Sequence, residues 1–173
     1  MAKIVYKEGC EGQNKLSSIE GIEIELLNGQ KALIYPKYAE RQMLTPEQIS
    51  KSYALTETQI EALKVENTHG KTVALLKIGS PAAEWVSQFC SDKHSIFCIP
   101  SLLAALEIQQ KKKEINALAE TIEGADHLRD FTSYVWSCSR YAELYCWVTD
   151  GGGFVGYINM GSTCLAVPTI LYK

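Results

Sequence analysis

The sequence predicts an α+β domain in which strands at both ends of the chain enclose a helical middle. Residues 22–35 contain two short apolar runs of strand type, and helix start signals recur through the middle of the chain. From Tyr134 onward, aromatic and β-branched residues alternate with polar ones in short segments. At 173 residues and 46% hydrophobic, the chain is long enough for one well-filled core. Such an order of elements favours terminal strands that meet in one sheet.

The N-terminal part predicts an arm followed by a β-hairpin. Residues 1–20 mix charges with glycine and small polar residues, which indicates a loosely ordered arm ahead of a single domain over 21–173. Residues 22–26 alternate apolar and acidic side chains, the period of a half-buried strand. The Asn-Gly pair at 28–29 is a strong hairpin signal, and 31–35 is the returning strand.

The next segment contains two capping patterns and one ambiguous apolar run. Residues 45–48 and 56–59 have the residue types of helix N-termini. Residues 60–66 fit either a helix or a strand. Residues 68–70 are interpreted as a turn into an apolar run at 72–78, and we favour strands on both sides of that turn.

Two helices follow with clearer signals. A Ser-Pro pair at 80–81 opens a short helix over 82–89, and a Pro-Ser pair at 100–101 opens a longer one. The apolar stripe of the longer helix is interrupted near 109–113, and Gly124 ends it. These two are the main helices of the predicted domain.

The C-terminal part predicts a small antiparallel sheet. Its segments are 134–137, 145–149, 154–159 and 164–171, and the glycine-rich stretch 150–153 is a turn between two of them.

Charge and hydropathy argue against two classes of partner. The chain has 17 basic and 20 acidic residues, whereas phosphate binding needs a concentrated excess of Lys and Arg. No stretch approaches the roughly 20 apolar residues of a membrane-spanning helix. The N-terminus has no apolar signal-peptide core. We therefore expect no nucleic acid partner and no membrane span. We also expect synthesis in the cytoplasm, and a virion protein assembled inside a host cell would meet that expectation.

The six cysteines form no CxxC pair and no Cys/His cluster with zinc-ligand spacing. Without a secretion signal, free core thiols are favoured over disulfides, and both interpretations stay open. The six are Cys10, Cys90, Cys98, Cys138, Cys146 and Cys164.

No combination of residues indicates catalysis. His69, His94 and His127 fall in predicted loops and are interpreted as surface residues. Glu23 and Glu25 lie on one solvent face of a strand. No metalloprotease, nucleophile-elbow or P-loop motif is present. We therefore expect a protein that is not an enzyme and uses no cofactor or metal.

The C-terminal strands carry the residue types of a recognition surface. Tyr, Trp and Arg are enriched at binding hot spots because they combine apolar area with polar groups. Trp136, Trp147 and Phe154 are assigned to the core, and the segment 139–144 and the turn at 150–153 are expected to be exposed. The candidate ligand-binding residues are Ser139, Arg140, Tyr141, Glu143, Tyr145, Thr149, Asp150, Tyr157 and Asn159.

The order and spacing of several short motifs resemble a known family. The motifs are VWSCS at 135–139, YCW at 145–147, VGY at 155–157 and a closing VP at 167–168. Together they look like the Lcl-type C-terminal domain, a family named after a collagen-like bacterial adhesin. The resemblance covers roughly 72–172 and, more weakly, extends back to residue 21. It departs at Val167, where the family has Arg, and at Cys138, where it has Ser.

The resemblance implies a C-type-lectin-like fold with two main helices and a sheet formed where the termini meet. Such domains occur in bacterial adhesins, in bacteriophage receptor-binding and decoration proteins, and in targets of diversity-generating retroelements. In those targets the segment equivalent to 137–164 carries the variable ligand contacts. Calcium needs about six oxygen ligands, which Asp150 and Asn159 alone do not supply, so calcium-dependent sugar binding is not expected.

Two functions follow as expectations. The first is a binding module for a protein or cell-surface receptor, with glycans among the candidate ligands, of adhesin or bacteriophage type. The alternative is a structural virion or decoration protein whose C-terminal loops and N-terminal arm contact sister subunits in a homo-oligomer.

Overall fold

A computed structural model describes residues 1–128 and 134–173 and shows an α+β architecture, as predicted. The described residues form five α-helices and two sheets. The strands are β1 Lys3–Tyr6, β2 Ile19–Glu25, β3 Lys31–Ile34, β4 Ala39–Gln42, β5 Val135–Ala142, β6 Tyr145–Thr149, β7 Val155–Asn159, β8 Thr163–Ala166 and β9 Thr169–Tyr172. The helices are α1 Gln59–Leu63, α2 Thr68–Ile78, α3 Pro81–Ser87, α4 Leu102–Gln110 and α5 Lys112–Ala119. Within the described ranges, no helix has the length and apolar character needed to cross a bilayer.

The first sheet joins the two ends of the chain in the order β1-β2-β3-β9. The predicted hairpin is present, with Ile22 opposite Ile34 and Glu25 opposite Lys31. Strand β9 pairs with β3, with Tyr172 opposite Lys31. The expectation that the terminal strands meet in one sheet is therefore confirmed.

The N-terminal residues are more ordered than the loose arm that their composition predicted. Strand β1 pairs antiparallel with β2, with Ile4 opposite Ile22. Ile4 and Tyr6 also pack against the core beneath this sheet, which gives the segment apolar contacts that fix it.

The second sheet has the order β4-β8-β5-β6-β7. Its pairs are antiparallel except for β5 with β8, where Val135 lies opposite Leu165. The run 164–171, predicted as one strand, is divided between the two sheets at Pro168, which has no N–H to give to a ladder. The chain thus passes from one sheet to the other through β8 and β9.

The prediction of strands at 60–66 and 72–78 was wrong, because 60–63 belong to α1 and 72–78 belong to α2, which also includes the predicted turn at 68–70. Asn67 is the N-cap of helix α2, and its side chain accepts a hydrogen bond from the N–H of Gly70 at 2.9 Å. The helix ends at Gly79, whose φ of 89° is the left-handed conformation of a helix C-terminus. An apolar run of this length is compatible with a buried helix as well as with a strand, and the caps decide between them.

The two capping patterns near the start of the helical region were misplaced. Helix α1 begins at Thr58, which forms a reciprocal capping box with Glu61, two residues later than the predicted pattern. At 45–48 the Gln48 side chain accepts from the Thr45 N–H, but only a turn follows and no α-helix. A cap without an apolar face to bury does not extend a helix.

The starts of the remaining helices follow the prediction, but the last one ends at Ala119, ahead of the predicted end at Gly124. Ser80 caps α3 and Ser101 caps α4, each accepting from a backbone N–H at 3.2 Å. The long helix is broken at Lys111 into α4 and α5, within the interval where its apolar stripe was interrupted. Helix α3 and the α4–α5 pair are the two predicted main helices; α1 and α2 are additional.

Two main cores fill the space around the sheets. The first packs the β2 residue Ile22 against Ile108 of α4 and Ile115 of α5. The second packs Trp136 of β5 against Leu75 of α2 and Val86 of α3. The second sheet is therefore held on one face by α2 and α3, which leaves its opposite face to other elements.

Candidate ligand-binding surface

The second sheet presents a partly uncovered face at the β5–β7 end. Along β6, Cys146 and Val148 point into the second core, so Tyr145 and Trp147 point to the opposite face. Helices α1 and α4 cover part of that face, where Leu102 packs on Trp147. Beyond these helices the face is open to solvent.

Three tyrosines occupy the open part of this face, and we call them the aromatic surface: Tyr141, Tyr145 and Tyr157. Tyr141 and Tyr157 are stacked, with ring centroids 3.9 Å apart and planes 12° from parallel. Tyr145 meets Tyr157 edge-on at 5.8 Å. Their exposed fractions are 37%, 37% and 54%, so each ring offers apolar area to a partner. The stack orders the rings before any ligand arrives.

The Tyr141 hydroxyl group of the aromatic surface stays protonated at neutral pH. Tyr157 raises the pKa of the Tyr141 phenol above its ordinary value, chiefly by charge repulsion and also through a hydrogen bond between the two side chains. A neutral phenol both donates and accepts hydrogen bonds. The surface therefore combines ring faces with polar groups of both kinds.

Trp147 lies beneath the aromatic surface and is fixed by the segment 52–57. Its ring meets Tyr141 edge-on at 4.8 Å, and its indole N–H donates to the Glu57 carbonyl at 2.8 Å. Glu57 in turn forms an ion pair with Lys71 of α2 at 2.7 Å. The floor of the aromatic surface is thus bonded to two separate parts of the chain, which makes it rigid.

Arg140 is not the exposed contact that the sequence predicted. The segment 139–144 is mostly strand, because β5 continues to Ala142 and β6 starts at Tyr145. The Arg140 guanidinium is buried and donates to Ser52 Oγ at 2.8 Å and to the Ala54 carbonyl at 3.2 Å. It also donates to the Glu143 carbonyl at 2.9 Å. Arg140 fastens the segment 52–57 to the sheet instead of facing a ligand.

Two further predicted contacts, Ser139 and Thr149, are fully buried. Thr149 ends β6 under helix α4, where Gln109 donates to its carbonyl at 3.5 Å. Ser139 lies in the irregular part of β5, where the pairing with β6 shifts register. The prediction of exposure was wrong for both, since strand pairing and α4 cover them.

The remaining predicted residues divide between surface and turns. Glu143 is exposed in the β5–β6 turn, between Tyr141 and Tyr145 in the sequence. Asp150 accepts from the N–H groups of Gly152 and Phe154, and Asn159 accepts from that of Gly161. These two side chains are partly exposed, but their oxygens organise turns.

The assignment of three aromatic residues to the core was correct for two of them and wrong for the third. Trp136 is fully buried and Trp147 is 7% exposed, whereas Phe154 is 72% exposed. Phe154 follows the glycine turn directly and precedes the first residue of β7, so no neighbouring element covers it. The position of Phe154 directly after Gly153, at the end of a turn, was the feature of the sequence that could have predicted its exposure.

The three histidines are exposed as predicted, but His69 lies in helix α2 and not in a loop, and it is near a thiol. His69 Nδ1 is 3.9 Å from Cys98 Sγ. Burial raises the pKa of Cys98 to about 11, which favours the thiol over the nucleophilic thiolate. The pair therefore lacks an activated nucleophile. Among residues 1–128 and 134–173, no three His, Cys, Asp or Glu side chains are grouped so as to hold a metal ion.

The thiols are expected to react in two classes with an aromatic disulfide reagent. Cys10 and Cys90 are accessible and should react within the folded protein. Burial raises the pKa of Cys138, Cys146 and Cys164 to about 12, so these thiols should react only on unfolding. Mass spectrometry of the labelled native protein checks this. Rapid native labelling of any of these three buried thiols would contradict the packing described here.

No family model, no curated protein and no solved structure matches this chain. The function of the aromatic surface therefore has to be inferred from its geometry and composition.

Proposed function

We propose that this protein is a non-enzymatic binding module that recognises a protein or cell-surface ligand through the aromatic surface. The observation that carries the proposal is the stacked, half-exposed cluster of Tyr141, Tyr145 and Tyr157 on a rigid sheet. Tyrosines of this kind provide large contact area at low entropic cost, because their rings are already ordered.

We also propose that the fold is C-type-lectin-like and of the Lcl type, as the sequence motifs suggest. The pairing of β9 with β3 supports this, because it brings the two ends of the chain into one sheet. The placement of the candidate surface on strands β5–β7 supports it as well, since the resembling family carries its ligand contacts in that region. An adhesin or a bacteriophage receptor-binding protein is the corresponding biological role.

The proposed contact residues are fewer than the sequence alone indicated. They are the three tyrosines of the aromatic surface, together with Glu143. Glu143 lies exposed in the turn that joins the strands of Tyr141 and Tyr145, and its carboxylate favours ligands that present a hydrogen-bond donor or a cation. The buried Arg140 contributes by holding the surface in place.

Screening the purified protein on protein and glycan arrays, followed by affinity measurements, tests this function. Replacing Tyr141 or Tyr157 with alanine should weaken binding of the ligand so identified about tenfold or more, because each substitution removes one contact ring and leaves the other without its stacking partner. Tyr141→Phe separates the contribution of the hydroxyl from that of the ring.

Leu27→Ala is the matched control, since Leu27 is exposed and apolar but lies at the hairpin turn of the other sheet. It should leave affinity unchanged. Full affinity in a variant lacking all three tyrosines would refute the site, and the absence of any ligand on both arrays would refute receptor binding.

A further inference from the structure

Strand β7 is the outer strand of the second sheet, and its outer side has no partner strand among the described residues. In the β6–β7 ladder, the backbone N–H of Asp150 donates to the Phe154 carbonyl, and the backbone N–H of Met160 donates to the Leu144 carbonyl. Hydrogen-bonded pairs alternate along an antiparallel ladder. The even-numbered residues 154–160 thus bond to β6, while the backbone groups of Val155, Tyr157 and Asn159 point outward.

The β7 edge carries no charged side chain, and the same is true of β9 at the other edge of the first sheet, but Thr169 of β9 forms a bridge with Cys98. Edge strands are commonly protected from pairing by charged side chains. Strand β1, at the edge of the first sheet, begins with Lys3, and β4, at the other edge of the second sheet, contains Glu40 and Arg41. Strand β7 has the sequence VGYIN. The Asn159 carbonyl accepts a hydrogen bond from the Ser162 N–H in the following turn, whereas the outward backbone groups of Val155 and Tyr157 have no partner among the described residues. The edge lacks the usual protection by charge.

The outward backbone groups of one β7 strand can form hydrogen bonds with the same groups of a second copy of β7. If two copies of β7 lie antiparallel with Tyr157 opposite its counterpart, then Val155 lies opposite Asn159 of the other copy. Every outward-facing residue of one copy then meets an outward-facing residue of the other, which is the condition for an antiparallel ladder. A symmetric dimer uses one surface patch twice in this way.

We propose that two copies of this chain pair through β7 and extend the second sheet across a two-fold axis at Tyr157. The axis is perpendicular to the sheet, so both aromatic surfaces lie on the same side. The two copies of Tyr157 become neighbours, and the two aromatic surfaces join into one. The dimer therefore presents a continuous tyrosine-rich face that can engage a ligand in two places.

Charge placed at the axis tests the proposal. In Tyr157→Lys, two lysines face each other across the ladder, and in Tyr157→Glu two glutamates do; like charges directly opposite destabilise strand pairing. Each variant alone should sediment with the mass of one chain. An equimolar mixture of the two should form a dimer, because lysine then faces glutamate. The wild type and Tyr157→Phe should dimerise in a concentration-dependent manner.

Analytical ultracentrifugation gives the masses, and unchanged circular dichroism shows that each variant is folded. Tyr157 is more than half exposed, so substitution there is compatible with folding. A wild-type protein that stays monomeric at every concentration overturns the proposal and leaves the edge to an extended segment of another protein. Single variants that remain dimeric overturn the β7 interface, and a mixture that stays monomeric overturns the two-fold at Tyr157.

This proposal and the proposed ligand recognition fail independently. A monomer still has a complete aromatic surface, so ligand binding measured at dilutions where the chain is monomeric tests recognition alone.

Discussion

Replacing Trp136 with alanine is expected to lower the free energy of unfolding by about 3–5 kcal/mol, the range found when a large buried aromatic side chain is removed. Trp136 is fully buried between the second sheet and helices α2 and α3. Its indole N–H donates to the Arg41 carbonyl at 2.7 Å, so the substitution also removes a bond between β5 and β4. Equilibrium denaturation by urea, monitored by far-ultraviolet circular dichroism, measures the loss.

Phe154→Ala is the control for this experiment, because the sequence placed both aromatics in the core and the structure separates them. Phe154 is mostly exposed, so its replacement should change the free energy of unfolding by no more than about 0.5 kcal/mol. Similar losses for Trp136→Ala and Phe154→Ala would show that β7 and its preceding turn pack differently from the description given above.

Short sequence motifs, such as turn pairs and helix caps, predicted correctly the elements whose conformation depends on neighbouring residues in the sequence. The β2–β3 hairpin follows from strict alternation around Asn28-Gly29, and the starts of α3 and α4 follow from Ser80 and Ser101. The run at 72–78 was mistaken for a strand because its apolar residues suit either conformation. What decides it is the Asn67 cap together with burial against the second core, and burial is a tertiary property.

Exposure was predicted correctly for the tyrosines of the candidate site, but not for Ser139, Arg140 and Thr149. Tyr141, Tyr145 and Tyr157 are exposed together as expected. Arginine is a residue type that is common at binding hot spots, yet Arg140 is covered by the segment 52–57, which is distant from it in the sequence. Its partner Ser52 lies 88 positions earlier in the chain. No period or short motif encodes a contact of that range, so the sequence could not distinguish a binding arginine from one that anchors the chain.

Replacing Arg140 with methionine is expected to lower the free energy of unfolding by about 2–3 kcal/mol, the scale of hydrogen bonds from a charged donor. Methionine keeps much of the apolar stem but leaves Ser52 and the carbonyls of Ala54 and Glu143 without their donor. Arg140→Lys should recover little, since an ammonium group cannot reproduce the planar fork that reaches several acceptors. Arg41→Ala is the control: Arg41 stacks 4.9 Å from the Trp85 ring, which is worth about 0.5–1 kcal/mol.

The same variant decides whether Arg140 supports the ligand surface or touches the ligand. If it supports the surface, Arg140→Met should increase hydrogen exchange in the segment 52–57 and lower affinity through that loosening. The loss of affinity should then shrink at lower temperature, where the segment is reattached more of the time. If Arg140 touches the ligand, affinity falls while stability and exchange stay at wild-type values, and the burial described for its guanidinium is wrong. Because Trp147 is bonded to Glu57 in that segment, loosening it also removes the floor beneath Tyr141. The position of the tyrosine rings therefore depends on the contact between Arg140 and the segment 52–57, which does not face the ligand.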